Sequence, residues 1–298
     1  MKKNNDYTKQ LIEGQFCLFS DIFDTTSKIT FIIIPGNPSI AELYIPFGYL
    51  LKKKFNYPFI ISSLISNDLK EYSLKKCIES KKNLFEYLSK INPKGKYIII
   101  SHSIGCYILI NALKNLKNIS NIIGIYCIFP ALQNLYNCFP LIYKVITFNY
   151  FIINILSVSI KILKILPLYL IILIFKFFSD IPSNYIKNIL DNVDYSSIKQ
   201  ILFLAKDEGK YIKGYNNDLL EFMNKISNKL RMIYGKNDRY GNEEIAKKFK
   251  KIVPGANIKI VDILHAFVLG YTQNIFEEIK GMINNDLINN IDKSKKLK

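Results

Sequence analysis

Tyr97-Ile98-Ile99-Ile100-Ser101-His102-Ser103-Ile104-Gly105 reads as a strand that stops abruptly, and the residues from Cys106 to Leu116 carry helical spacing. Between strand and helix, Ser103 has a small residue two positions before it and two after. Such a strand–turn–helix corner lifts a serine hydroxyl to the sheet's edge. It also sets it beside a helix N-terminus whose N–H groups can face an anion. The turn is tight, so it demands small neighbours. Gly105 meets that demand, and Ser101 stands where a glycine is usual. A short string of this kind also arises by chance at helix starts, so the rest of the chain must carry the reading.

Outward from this corner, short β-branched or aromatic runs alternate with helix-compatible segments. Ile29 to Ile34, Pro58 to Ile61, Ile122 to Phe129, Arg231 to Tyr234 and Ile258 to Val261 read as further buried strands. Segments near 39–54, 71–91, 104–116, 242–252 and 271–289 have helical spacing. An antiparallel strand around Phe16 to Phe23 precedes the first parallel one. The alternation predicts an α/β class: a mainly parallel sheet flanked by helices.

The loops after these strands hold the chemistry. Pro35-Gly36-Asn37-Pro38 follows the first strong strand. There Gly36 permits close approach and Pro38 has no N–H, which leaves the Asn37 N–H, with that of Ile104, as candidate oxyanion donors. Gly235-Lys236-Asn237-Asp238 and Asp262-Ile263-Leu264-His265 follow the last two strands. The order serine, acid, histidine is that of the α/β-hydrolase fold, so Ser103, Asp238 and His265 are the candidate nucleophile, acid and base. The chain has two histidines, and His102 is fixed inside the corner. Asp207, Glu208 and Asp262 are rival acids. His102 reads as packing for the corner in preference to a catalyst, Cys106 as core, and Tyr44 and Phe47 as packing on a helix face, with the lining of an acyl pocket as the alternative for either.

Composition narrows the alternatives. The 298 residues are 49% hydrophobic and 22% charged, enough for one large domain over 1–298 or two small ones. The net charge of +17 is carried almost wholly by scattered lysines, which predicts a solvated surface and no nucleic-acid face. Cys17, Cys77, Cys106, Cys127 and Cys138 form no C-x-x-C pair, so a metal site, a disulfide framework and a cofactor are not expected. The polar start Met1 to Asp6 lacks the apolar centre of a signal peptide, and Lys2 excludes N-myristoylation.

One region breaks the alternation. From 138 to 178 the only charges are Lys144, Lys161, Lys164 and Lys176, and the uncharged runs Val145 to Ile160 and Ile165 to Phe175 are too short to span a bilayer. Pro167 suits the first turn of a second helix. A two-helix lid, an in-plane anchor and a hairpin with snorkelling lysines all fit. The density of apolar residues favours lipid contact. This stretch lies within an expected cap insertion at about 131–200.

Ile33-Ile34-Pro35-Gly36-Asn37-Pro38, Ser101-His102-Ser103-Ile104-Gly105-Cys106-Tyr107, Ile128-Phe129-Pro130 and His265-Ala266-Phe267-Val268 together resemble the lipid droplet-associated hydrolase family over about 28–285. The resemblance implies an esterase on lipid droplets and the cytosolic side of the endoplasmic reticulum, with a lipid ester, a sterol ester among them, as substrate. It matches Ser103, Asp238 and His265 to the triad, and 138–178 to the segment that meets the droplet monolayer or membrane. Ser101 and Ser39 stand where the family usually has glycine, departures that bear on turnover more than on fold. The alternative function is a lipid-surface interaction protein that keeps the fold but turns over weakly. A soluble acyltransferase or thioesterase is a third reading.

Overall fold

The structure is a computed structural model and describes residues 7–20, 28–66, 73–178 and 182–296. Its strands are β1 (Thr8–Ile12), β2 (Gln15–Phe19), β3 (Ile29–Ile34), β4 (Phe59–Ser66), β5 (Lys96–His102), β6 (Ile122–Ile128), β7 (Leu230–Gly235) and β8 (Asn257–Val261). The helices are α1 (Ile45–Phe55), α2 (Leu74–Ile91), α3 (Ile104–Lys114), α4 (Leu135–Cys138), α5 (Leu141–Phe148) and α6 (Tyr150–Leu163). They continue with α7 (Leu168–Phe178), α8 (Ser183–Asn192), α9 (Tyr195–Tyr211), α10 (Asn217–Lys225), α11 (Glu243–Ile252) and α12 (Thr272–Lys296).

The sheet order is β1-β2-β4-β3-β5-β6-β7-β8, antiparallel at β1-β2 and β2-β4 and parallel elsewhere. Period-2 alternation in β3 explains why both faces are covered. Phe31 and Ile33 pack into a core with Phe47 and Leu51 of α1 and Ile279 and Ile283 of α12. Ile32 and Ile34 enter a second core with Leu84 and Leu88 of α2 and Leu109 and Leu113 of α3. Strands apolar on both faces cannot lie at a wet surface. Each fully buried isoleucine contributes about 1.5–3 kcal/mol.

The expected parallel strands and flanking helices are present, with several differences. The segment near 39–54 begins as a 3-10 turn at Ala41–Tyr44 before α1. β2 is antiparallel and ends at Phe19, Ser20 is a bend, and positions 21–23 of the expected strand lie outside the described residues. β1 had no expectation, because its residues are mostly exposed and do not form an apolar run. The region 138–178 holds three helices, α5, α6 and α7, instead of two. The extra break falls at Asn149, whose extended backbone ends α5 while its side chain accepts from the N–H groups of Phe151 and Ile152 and caps α6. Pro167 directly precedes α7, as its fixed φ predicts.

Candidate active site

The corner expected at Ser103 is built between β5 and α3. Ser103 has φ +54° and ψ −125°, a strained conformation for a residue with a Cβ. The surroundings hold it there. Its N–H donates to Ile128 O (3.0 Å), and its carbonyl accepts from Ala131 N (3.2 Å). A Cβ on Gly105 would stand 2.4 Å from the Pro35 carbonyl oxygen, so only glycine lets β3's loop pass that close. Ser101 is fully buried and its hydroxyl donates to Tyr126 O at 3.2 Å, so the polar atom that replaces a glycine hydrogen is satisfied.

His265 follows β8 and reaches both partners. Its Nε2 lies 2.9 Å from Ser103 Oγ and its Nδ1 lies 2.7 Å from Asp238 Oδ2. Asp238 follows β7, and its other oxygen accepts from Tyr240 N at 2.9 Å, which fixes the carboxylate's orientation. The Asp238 side chain is 1% exposed and so sits out of bulk water, while the His265 side chain is 25% exposed. A histidine held by an acid at Nδ1 presents an unprotonated Nε2 to the serine. That arrangement can draw a proton from Ser103. The rival acids point elsewhere. Asp207 accepts from Leu74 N at the start of α2, Glu208 bonds Asn37, and the described bonds of His265 include none to Asp262.

His102 and Tyr44 pack as expected, both buried among aromatic rings, and they also form a buried hydrogen-bond chain. Gly36 N–H donates to Tyr44 Oη (3.0 Å), which lies 2.6 Å from His102 Nδ1, and His102 Nε2 lies 2.9 Å from the His265 carbonyl. A carbonyl can only accept, so Nε2 carries the proton and Nδ1 accepts from the tyrosine. Burial, reinforced by the field of His265, pushes the His102 pKa well below the usual histidine range. This neutral imidazole ties the loop after β3 to the loop after β8. Rings of Phe129, Tyr240 and His102 surround the His265 imidazole at 5.8, 4.9 and 5.0 Å.

The loop after β3 lies directly over Ser103: a Cβ on Gly36 would meet Ser103 Cβ at 2.8 Å. Gly36 N–H is already used by Tyr44. The Asn37 and Ile104 N–H groups donate to nothing among the described residues. The Asn37 side chain is anchored on α9, donating from Nδ2 to Ile201 O (3.0 Å) and to Glu208 Oε1 (3.1 Å). Sequence reasoning weighed Glu208 only as a rival acid and gave no sign of this link. A cleft of about 660 Å³ runs along the outer side of His265, between the loops that carry Asp238, Tyr240, Leu264 and Tyr271.

The segment between β6 and β7 supplies α4 to α10. On α5, α6 and α7 large apolar side chains face outward, with Leu141 79%, Phe151 72% and Tyr169 64% exposed. No described helix is long and apolar enough to cross a membrane. Only α5 and α6 taken together have that length, and they are bent by 91°.

The profile of the lipid-droplet associated hydrolase family matches residues 27–268, a span that includes Asn37, Ser103, Asp238 and His265. The chain belongs to this family. A lipid droplet-associated hydrolase of Dictyostelium discoideum is 27% identical over 284 residues, 89% of this chain and 91% of its own. That of Drosophila melanogaster is 26% identical over 289 residues, 87% of this chain and 90% of its own. Among solved structures, a carboxylesterase of the thaumarchaeon Nitrososphaera gargenis superposes with a TM-score of 0.66 at 14% identity, covering 95% of this chain and 99% of that one. The likeness fixes the fold of this lipid-droplet associated hydrolase family member as the α/β-hydrolase fold.

Proposed function

We propose that this chain is a serine hydrolase that cleaves a lipid carboxylic ester, a sterol ester among the candidates, at a lipid-droplet or membrane surface. The observation that carries the reading is the unbroken chain of hydrogen bonds from Asp238 through His265 to Ser103. In this reading Ser103 Oγ attacks the ester carbonyl while His265 Nε2 takes its proton. Asp238 holds the imidazole in the tautomer that leaves Nε2 free and stabilises the imidazolium that forms. The N–H groups of Asn37 and Ile104 receive the oxyanion, each contributing about 3 kcal/mol in the transition state. His265 then gives its proton to the leaving alcohol. Water, activated by the same imidazole, releases the acid.

The helices between β6 and β7, about 131–200, would act as a cap, and the outward apolar face of α5–α7 would rest on lipid. A droplet monolayer has no far aqueous side, which suits short helices bent in the plane. The family's name supports the droplet as its place, and five free cysteines fit a reducing side of it; the cytosolic face of the endoplasmic reticulum belongs to the same proposal. The test is hydrolysis of an emulsified long-chain ester by the wild type and by Ser103→Ala. The wild type should turn over and the variant should not; equal turnover, or none in either, would sink the reading.

A further inference from the structure

Glu208 is a buried acid on α9 with no cation paired to it among the described residues. Buried carboxyls without a cation are costly unless they stay neutral or serve a site. The groups that face it come from four elements. Asp207 is its neighbour on α9, Tyr143 approaches from α5, Tyr240 from the loop after β7, and Asn37 from the loop after β3. Burial first, and Asp207 with it, pushes the Glu208 carboxyl up to about 8, against a lowering by the Asn37 hydrogen bond. At neutral pH the group is therefore mostly uncharged.

Its one described hydrogen bond is the one to Asn37. The Asn37 Oδ1 is buried and has no partner among the described residues, where the amide is held through its NH₂ group. Two acceptors on α9 share that task, the Ile201 carbonyl and Glu208 Oε1. Removing Glu208 leaves the Asn37 side chain a single anchor, the Ile201 carbonyl, while Gly36 on one side stays tied to Tyr44 and Ser39 on the other to Ser63 and Leu64 of β4.

We propose that Glu208 is a positioning residue for the oxyanion loop, its carboxyl holding the Asn37 side chain and thereby aiming the Asn37 N–H. The inference rests on the reading of Asn37 as an oxyanion donor. An N–H that drifts by about 1 Å loses on the order of 100-fold in rate, because the donor must meet the oxyanion and not the ground-state carbonyl. The charge state matters as well. Once ionised, Glu208 puts a buried negative charge one side chain away from the place where the oxyanion develops, and so opposes it.

The experiment measures kcat and KM on a soluble short-chain ester from pH 6 to 10 for the wild type, Glu208→Ala and Glu208→Gln. Labelling of Ser103 by a fluorophosphonate is followed in parallel. Glu208→Ala should lose about 10- to 100-fold in kcat with KM changed by less than about two-fold, the signature of an interaction made in the transition state. Glu208→Gln keeps an acceptor for Asn37, so it should recover most of that loss. Having nothing to ionise, it should also lack the wild type's decline in kcat above about pH 8. Full kcat in Glu208→Ala, or the wild-type alkaline decline retained in Glu208→Gln, overturns the inference. If the alanine variant fails to fold, the glutamine pH profile decides alone. Absence of Ser103-dependent labelling in the wild type would overturn the proposed function itself. Normal labelling with an unaltered glutamine profile overturns only the role of Glu208.

Discussion

Ser103, Asp238 and His265 could be singled out only together, since each follows a strand and they come in the order serine, acid, histidine, while the corner around Ser103 says little alone. The ties around them could not be read. Tyr44 and His102 are 58 positions apart and Asn37 and Glu208 are 171 apart, and no periodicity links residues that meet only through the fold. Three expectations belong to this scale. Asp238→Asn should leave the fold intact but favour the wrong His265 tautomer, lowering kcat on the order of 10⁴-fold in ester hydrolysis. Gly105→Ala drives a Cβ into the backbone oxygen of Pro35, which cannot yield as a side chain would. It should cost about 1–3 kcal/mol in a denaturant titration and slow Ser103 labelling as well. Glu208 also links stability to pH. Its folded pKa is raised to about 8 from an ordinary 4.5. The contribution of Glu208 to stability is therefore fully present below the unfolded value and is lost as pH rises through about 8. Relative to Glu208→Gln, the wild type should lose melting temperature steadily between those limits and no further above them.

Among the elements, the strands of the parallel sheet read clearly, since apolar runs covered on both faces have no other home. The helices between β6 and β7 read less well. The apolar content of 138–178 was plain, but its division into three helices depends on Asn149 closing one and capping the next. α8, α9 and α10 passed unnoticed because their buried positions, such as Ile186, Leu204 and Leu219, are diluted by polar residues. The exposed face of α5 and α6 carries a prediction of its own. Replacing Leu141, Phe151, Ile155 and Ile162 by serine removes apolar surface already facing outward, so the fold should persist. Flotation with droplets or vesicles should fall about ten-fold or more, given about 25 cal/mol for each Å² of apolar surface withdrawn from water. Hydrolysis of a soluble ester should be little changed. Undiminished flotation would contradict the lipid-facing reading.

For the whole molecule, the order of strands and loops carried the fold, while what clasps the C-terminal end to the sheet lay hidden. Asp286 of α12 accepts from Tyr126 Oη at 2.6 Å and pairs with Arg231 of β7 at 2.5 Å, so one carboxylate joins α12 to the neighbouring strands β6 and β7. Asp286→Ala should cost about 3–5 kcal/mol, because it leaves the largely buried guanidinium without its counter-charge. An unchanged denaturation midpoint would contradict that. All these parts converge on the conformation of one serine. The most direct measurement is fluorophosphonate treatment of the full chain followed by mass spectrometry of the adduct, beside Ser103→Ala. A single adduct on the Ser103 peptide, absent from the variant, is the predicted result; equal adducts in both, or none in either, would contradict the account.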